Sequence, residues 1–254
     1  MILMGTFIFL IIAGILAGIV STIASMASLV SYPALLIVGV PPVMANITNT
    51  ASLIFTGVGS AMSSLKDLKG RWLETAKYSI FILIGALGGS LLLLKFPGDI
   101  FEKLVPFFVL FSAGMLLLSG SKKFFDLSKN RSKKGTIGAY LGLIVAGIYT
   151  GYFGAASGVL MLIFLTYISD DEFVVINAMK NIIGSLGNLI ALIVFIFGSK
   201  IMWSMVIPMA IGLFIGGYLG QKSVHYLSPK AVRWITAGFS VILASYLFYT
   251  AYIA

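Results

Sequence analysis

The stretches GILAGIVSTIASMASLVSYP, residues 14–33, and GLIVAGIYTGYFGAASGVLM, residues 142–161, decide how this chain folds. Both are apolar but unusually rich in small residues, which allow helix backbones to approach closely or to unwind. The first lies in an apolar segment, 5–40, that is too long for one membrane crossing of about 20 residues. Pro33 and the pair at Pro41 and Pro42 also disfavour one continuous helix there. We therefore predict a broken or re-entrant hairpin at each stretch.

Composition identifies lipid as the natural solvent of the chain. Hydrophobic residues make up 59% of the 254 residues and charged residues only 10%, whereas soluble domains carry about 25% charged residues. There is no cysteine and only one histidine, which excludes thiolate chemistry and His-rich metal sites. We expect no cofactor and no metal. The net charge of +9 sits in short loops between apolar runs, so it indicates membrane topology rather than a nucleic-acid partner.

The chain reads as two similar halves. Each half opens with a small-residue stretch and continues with a helix that carries polar residues near a tryptophan. The spacing from Asn46 to Asn177 is 131 residues, and the spacing from Trp72 to Trp203 is the same. We predict an all-α polytopic membrane protein with two homologous halves, each a hairpin plus three membrane helices. The halves span 1–120 and 136–254, and a basic linker, 121–135, joins them.

The distribution of cations predicts how the halves are oriented, since cytoplasmic loops carry an excess of Lys and Arg. If each half begins with a hairpin, the halves are inverted repeats; 13 cations then lie inside and three outside, with Lys180 in the bilayer. If each half begins with a single crossing, the repeats are parallel and the count is 11 against five. We favour the inverted arrangement in the cell membrane, with both termini outside and the central loop cytoplasmic.

Polar residues inside apolar runs are the candidate site. They are Asn46, Thr48, Asn49 and Thr50 in the first half, and Asn177, Lys180, Asn181, Ser185 and Asn188 in the second. Those of the second half share much of one helical stripe, and an ionisable residue in the bilayer is usually functional. The alternatives are hydrogen bonding between helices and, for Lys180, snorkelling or pairing with an acid in 170–172.

Several short motifs occur along essentially the whole chain, in an order that is typical of one known protein family. P-x-L-L-x-x-G-x-P-P-x-x-A-x-x-T-N runs from Pro33 to Asn49, and G-Y-F-G-A-A-S-G-V runs from Gly151 to Val159. The chain resembles the TauE/SafE family of sulfite exporter-like transporters. Many members carry Lys at the positions of Thr50 and Asn181, where this chain has only the adjacent Lys180. The resemblance implies transport of sulfite, a sulfonate or a related anion.

The predicted function is export of a small sulfur-containing anion by alternating access, and not an enzyme activity. The predicted substrate-binding residues are Ser28, Ser31, Thr48, Asn49, Ser157, Lys180 and Asn181. All eight acidic residues lie in or beside loops, so the usual carboxylate for proton or sodium coupling is missing from the bilayer. An anion channel and, less favoured, a membrane-embedded enzyme are the alternatives. The expected partners are the anion and the lipid bilayer; the oligomeric state, a homodimer included, stays open.

Overall fold

A computed structural model describes residues 4–96, 98–118, 132–223 and 229–253 as ten helices, with no strand among them. The first half contains α1 (Met4–Ala24), α2 (Ser28–Ile37), α3 (Pro42–Ser64), α4 (Trp72–Lys95) and α5 (Gly98–Leu118). The second contains α6 (Lys133–Tyr152), α7 (Ser157–Ile168), α8 (Phe173–Gly198), α9 (Trp203–Ser223) and α10 (Pro229–Tyr252). The predicted all-α class is confirmed.

Each half begins with the predicted broken hairpin. Helix α1 gives way to the ten-residue α2, and α6 gives way to the twelve-residue α7. The chain turns at Ser25 and Ala156, whose φ angles of 59° and 70° lie in the left-handed region. Residues other than glycine rarely adopt this conformation, because the Cβ atom comes too close to the following carbonyl oxygen. The two turns are therefore matched interruptions, again 131 residues apart.

The helix starts follow the same offset as the sequence motifs. Pro42 and Phe173, Trp72 and Trp203, and Gly98 and Pro229 open equivalent helices, and each pair is 131 residues apart. The two tryptophans thus begin the helix after the polar one. The division into 1–120 and 136–254 stays a prediction, and α6 begins at Lys133, within the predicted linker 121–135. Most of the predicted linker 121–135 lies outside the described residues.

The fourth helix of each half, α4 or α9, packs against helices of the other half. Helix α9 packs on α1 and α3, whereas α4 packs on α6 and α8. These contacts are backbone to backbone: a Cβ atom at Gly18 would lie 2.5 Å from the amide nitrogen of Gly217. We call α1, α2, α3 and α9 bundle A, and α4, α6, α7 and α8 bundle B. Helices α5 and α10 pack together beside them.

Membrane-crossing segments account for most of the described chain. Seven helices are long and apolar enough to cross a bilayer, namely α1, α4, α5, α6, α8, α9 and α10. Helix α3 has 23 residues but is more polar, and it lies between α8 and α9, away from a purely lipid environment. Several of its polar side chains, among them Asn49, Thr50 and Ser52, therefore form hydrogen bonds inside the protein, as the absence of water in hydrocarbon favours. The chain is a multi-pass membrane protein.

Candidate functional site

A cavity of about 80 Å³ lies where the two broken hairpins meet helices α3 and α8. Its wall is mainly hydroxyl, amide and small side chains. Bundle A contributes the polar residues Ser21, Ser25, Ser28, Thr56 and Ser60. Bundle B contributes Ser157, Lys180, Asn181, Ser185 and Asn188. A site at the interface between two matched interruptions is the arrangement found in transporters built from repeats.

Lys180 places an ammonium group in this cavity. Its side chain is only 4% exposed, and Nζ donates a hydrogen bond of 2.7 Å to Ser25 Oγ. Among the described residues that line the cavity, none is acidic. Asp171, one of the partners considered from the sequence, instead forms an ion pair of 2.6 Å with Arg71. The lysine thus turns inward to the cavity rather than toward that acid.

Two helix N-termini add partial positive charge to the same wall. Helices α2 and α7 begin at Ser28 and Ser157, and both residues line the cavity. The first turns of a helix carry amide groups without intrahelical partners, together equivalent to about half a positive charge. Ser157 also donates from Oγ to the carbonyl of Gly154 at 2.8 Å, which holds the break in place. The site therefore brings together the buried Lys180 side chain and two helix N-termini.

Unused hydrogen-bonding groups remain at the cavity wall. Thr56 Oγ1 and Asn181 Nδ2 are buried and have no hydrogen-bond partner within the described structure. Leaving such a group unpaired costs about 1–3 kcal/mol. Asn181 Nδ2 can only donate, so the partner it lacks is an acceptor. Both residues line the cavity.

Four of the seven predicted binding residues line the cavity, namely Ser28, Ser157, Lys180 and Asn181. The other three lie behind the wall and hold bundle A together. Asn49 Nδ2 donates to Ser28 Oγ at 3.2 Å, and Ser31 Oγ donates to Asn49 Oδ1 at 2.5 Å. Thr48 Oγ1 accepts from the amide of Met202 at 3.4 Å. For these three, hydrogen bonding between elements describes the contacts seen.

Thr56 and Ser60 belong to the cavity wall but were missed by sequence reasoning. The polar cluster at 46–50 drew attention to the first turns of α3, whereas the cavity meets its later turns. A signal was present, because Thr56 follows Asn49 by seven residues and Ser60 follows Thr56 by four. Residues at these spacings share one helix face. Extending the stripe past residue 50 would have found both.

Comparisons with known proteins agree with this architecture. The family model described as sulfite exporter TauE/SafE matches residues 10–247. A probable membrane transporter protein of Haemophilus influenzae is 26% identical over 93% of this chain and 92% of its own. The probable membrane transporter protein YfcA of Escherichia coli is 24% identical over 93% of this chain and 87% of its own. No solved structure gives a significant match. The chain therefore belongs to the sulfite exporter TauE/SafE family, and it is a multi-pass membrane transporter.

Proposed function

We propose that this transporter exports a small sulfur-containing anion, such as sulfite or a sulfonate, across the cell membrane. The observation that carries the proposal is the buried ammonium of Lys180 in a cavity whose described lining has no acidic residue. A cation is costly in a membrane interior unless a partner compensates it. An anion in the cavity would supply that compensation. The hydrogen bond to Ser25 keeps Lys180 Nζ at the cavity, where it can contact an anion.

The remaining groups suit the oxygen atoms of such an anion. The hydroxyl of Thr56 and the amide of Asn181 lack partners, and the N-termini of α2 and α7 attract negative charge. An oxyanion offers several acceptors on one small centre, which matches donors that converge from both bundles. The family to which the chain belongs is named for sulfite export, which makes sulfite the first anion to test.

An inverted arrangement of the halves is supported by helices that are equivalent under the 131-residue offset. Helices α5 and α10 are such a pair and run antiparallel, since Tyr252 Oη donates to the carbonyl of Lys103 while Phe107 packs against Phe248. Helices α3 and α8 are a second pair. Their residues also approach in opposite order, Ile54 with Ser185 and Gly57 with Asn181. Equivalent helices that cross antiparallel are expected of repeats inserted in opposite directions.

Alternating access then consists of bundle A rocking against bundle B. Rows of close glycine contacts join α9 to α1 and α4 to α6, although Gly57 also meets Ser185 across the bundles. These rows favour the exchanged bundles, rather than the halves of the sequence, as the moving bodies. Polar contacts between described residues cross from one bundle to the other near the hairpin breaks. One is Lys180 with Ser25, and another is Asn46 Nδ2, which donates to the carbonyl of Tyr152 at 2.8 Å. Both lie at a hairpin break, where a bound anion would act.

The direction of transport that we propose agrees with the membrane potential, and the distribution of cations gives the topology. We place the central loop in the cytoplasm and both termini outside, as the cation counts predict. With the inside negative, outward movement of one negative charge is favoured by about 2.3 kcal/mol per 100 mV. A coupling carboxylate is then not required.

Flux of sulfite in proteoliposomes, with and without an imposed potential, tests this function. Saturable flux that responds to the potential, with thiosulfate, sulfate or sulfonates as competitors, is the expected result. The competition pattern defines the substrate class. Flux that never saturates would instead indicate a channel. If folded protein moves none of these anions, the proposal of a sulfur-containing anion is wrong.

A further inference from the structure

A second, much larger concave surface lies between α2, α5 and α10, apart from the cavity at the hairpin breaks. Its volume is about 810 Å³, within the range of ligand sites, about 300–1,000 Å³. The wall is mostly aliphatic and aromatic, with Leu36, Val105, Leu243 and Leu247 among its members. Two residues at its rim, Ile37 and Ile242, are each 70% exposed. The groove therefore faces the surrounding lipid.

Polar residues interrupt this apolar wall at four described positions, Tyr32, Glu102, Tyr246 and Thr250, and the first two bear on the choice of ligand. Glu102 is the one charged residue among the described residues that line the groove. Tyr32 lines it as well; the side chain is 1% exposed, and its hydroxyl has no hydrogen-bond partner in the described part of the chain. A buried hydroxyl without a partner is costly. A ligand that offers both a cation and a hydrogen-bond acceptor would suit the exposed carboxylate of Glu102 and the unpaired hydroxyl of Tyr32.

The carboxylate lies at the depth of lipid headgroups. Helix α5 begins at Gly98, so Glu102 stands about 6 Å from its end at a rise of 1.5 Å per residue. Thr250 and Ala251, at the end of α10, line the same end of the groove. The apolar wall continues from there along α2 and α10 toward the middle of the membrane. A membrane lipid has the same arrangement, with a polar headgroup at the membrane surface and apolar acyl chains toward the middle.

We propose that this groove binds one bilayer lipid with a primary ammonium headgroup, a phosphatidylethanolamine. The ammonium contacts the carboxylate of Glu102, and an ester or phosphate oxygen accepts from the hydroxyl of Tyr32. An acyl chain lies along the aliphatic wall. An anionic lipid does not fit, because no lysine or arginine is among the described lining residues while a carboxylate is. A transported anion is disfavoured there for the same reason.

Native mass spectrometry of the purified full chain tests the proposal. The protein is placed in micelles with equimolar phosphatidylethanolamine and phosphatidylcholine that carry the same acyl chains, and the lipid bound per protein is counted. Wild type is expected to retain phosphatidylethanolamine in preference. Glu102→Gln is expected to lower that retention about tenfold, as for loss of one charge-assisted hydrogen bond, and to leave phosphatidylcholine retention unchanged.

The matched control is Asp99→Asn, one helical turn earlier on the same helix and outside the groove lining. It is expected to behave as wild type. A series with one, two and three N-methyl groups on the headgroup repeats the test without any substitution, and retention should fall as donors are lost. Equal retention of both lipids by wild type overturns the proposal, and so does a Glu102→Gln variant that still prefers phosphatidylethanolamine. Anion flux does not enter either readout.

Discussion

Lys180 Nζ donates a 2.7 Å hydrogen bond to Ser25 Oγ across 155 residues of chain, and so joins bundle B to the hairpin break of bundle A. The equivalent residue under the 131-residue offset is Asn49. It stays within its own bundle, where it contacts Ser28 and Ser31. The two matching positions thus have different roles. Asn49 supports the hairpin break of its own bundle, whereas Lys180 contacts the hairpin break of the other bundle. Among the described residues that line the cavity, Lys180 is the one basic residue.

Lys180→Ala should lower sulfite flux about tenfold or more, since a charge-assisted hydrogen bond is worth about 1.5–3 kcal/mol. Lys230→Ala is the control, because Lys230 is an exposed cation at the start of α10. It removes the same net charge far from the cavity. Initial rates in proteoliposomes at matched protein content give the comparison. Equal rates for both variants would take Lys180 out of the site.

Substitutions of Ser25 should separate its side chain from its backbone. Ser25→Gly and Ser25→Ala both remove the acceptor of the Lys180 bond, but only glycine adopts a φ angle of 59° without cost. We expect the glycine variant to be more stable than the alanine variant by about 1 kcal/mol. Thermal unfolding in detergent measures the difference. An alanine variant as stable as the glycine variant would mean that the left-handed turn carries no strain.

Thr56→Val should reduce transport without reducing stability. Valine has the same shape as threonine, and the hydroxyl that it removes has no partner among the described residues, so the unfolding temperature should stay or rise. The Michaelis constant for sulfite should increase if that hydroxyl contacts the anion. Ser52→Ala is a useful comparison, because Ser52 Oγ donates to the carbonyl of Thr48 one turn earlier on α3. Unchanged kinetics in Thr56→Val would exclude this contact.

Gly89→Ala and Gly88→Ala test the close contact between α4 and α6. A Cβ atom at Gly89 would overlap the carbonyl oxygen of Ile148, whereas one at Gly88 meets no atom within 4 Å. Overpacking costs about 1–3 kcal/mol, while alanine at a free helical position gains up to about 1 kcal/mol over glycine. The unfolding temperature should therefore fall for Gly89→Ala and not for Gly88→Ala. A similar decrease in both would contradict the close contact of Gly89 with the α6 backbone.

Much of the fold was predictable because lipid restricts the choices. Long apolar runs must be helices in a bilayer, and prolines and small residues at 14–42 mark where a helix cannot continue. The paired spacings of Asn46 with Asn177 and Trp72 with Trp203 gave the equivalent helices. The exchange of α4 and α9 between bundles had no such signal. Glycines 85, 89, 212 and 216 were common-looking membrane glycines until the structure showed which backbone each one meets.

The membrane environment, the helical class, the two interrupted hairpins and the polar stripe with Lys180 can be predicted from the amino-acid sequence, because hydropathy and periodicity are local properties of the chain. Which polar residues line the cavity depends on how distant helices pack. Ser31, Thr48 and Asn49 are as polar as Thr56 and Ser60, yet the first three lie outside the cavity lining and the last two belong to it. In a membrane without water, a polar side chain forms hydrogen bonds with the groups that tertiary packing places next to it. Such a partner can belong to a distant part of the chain.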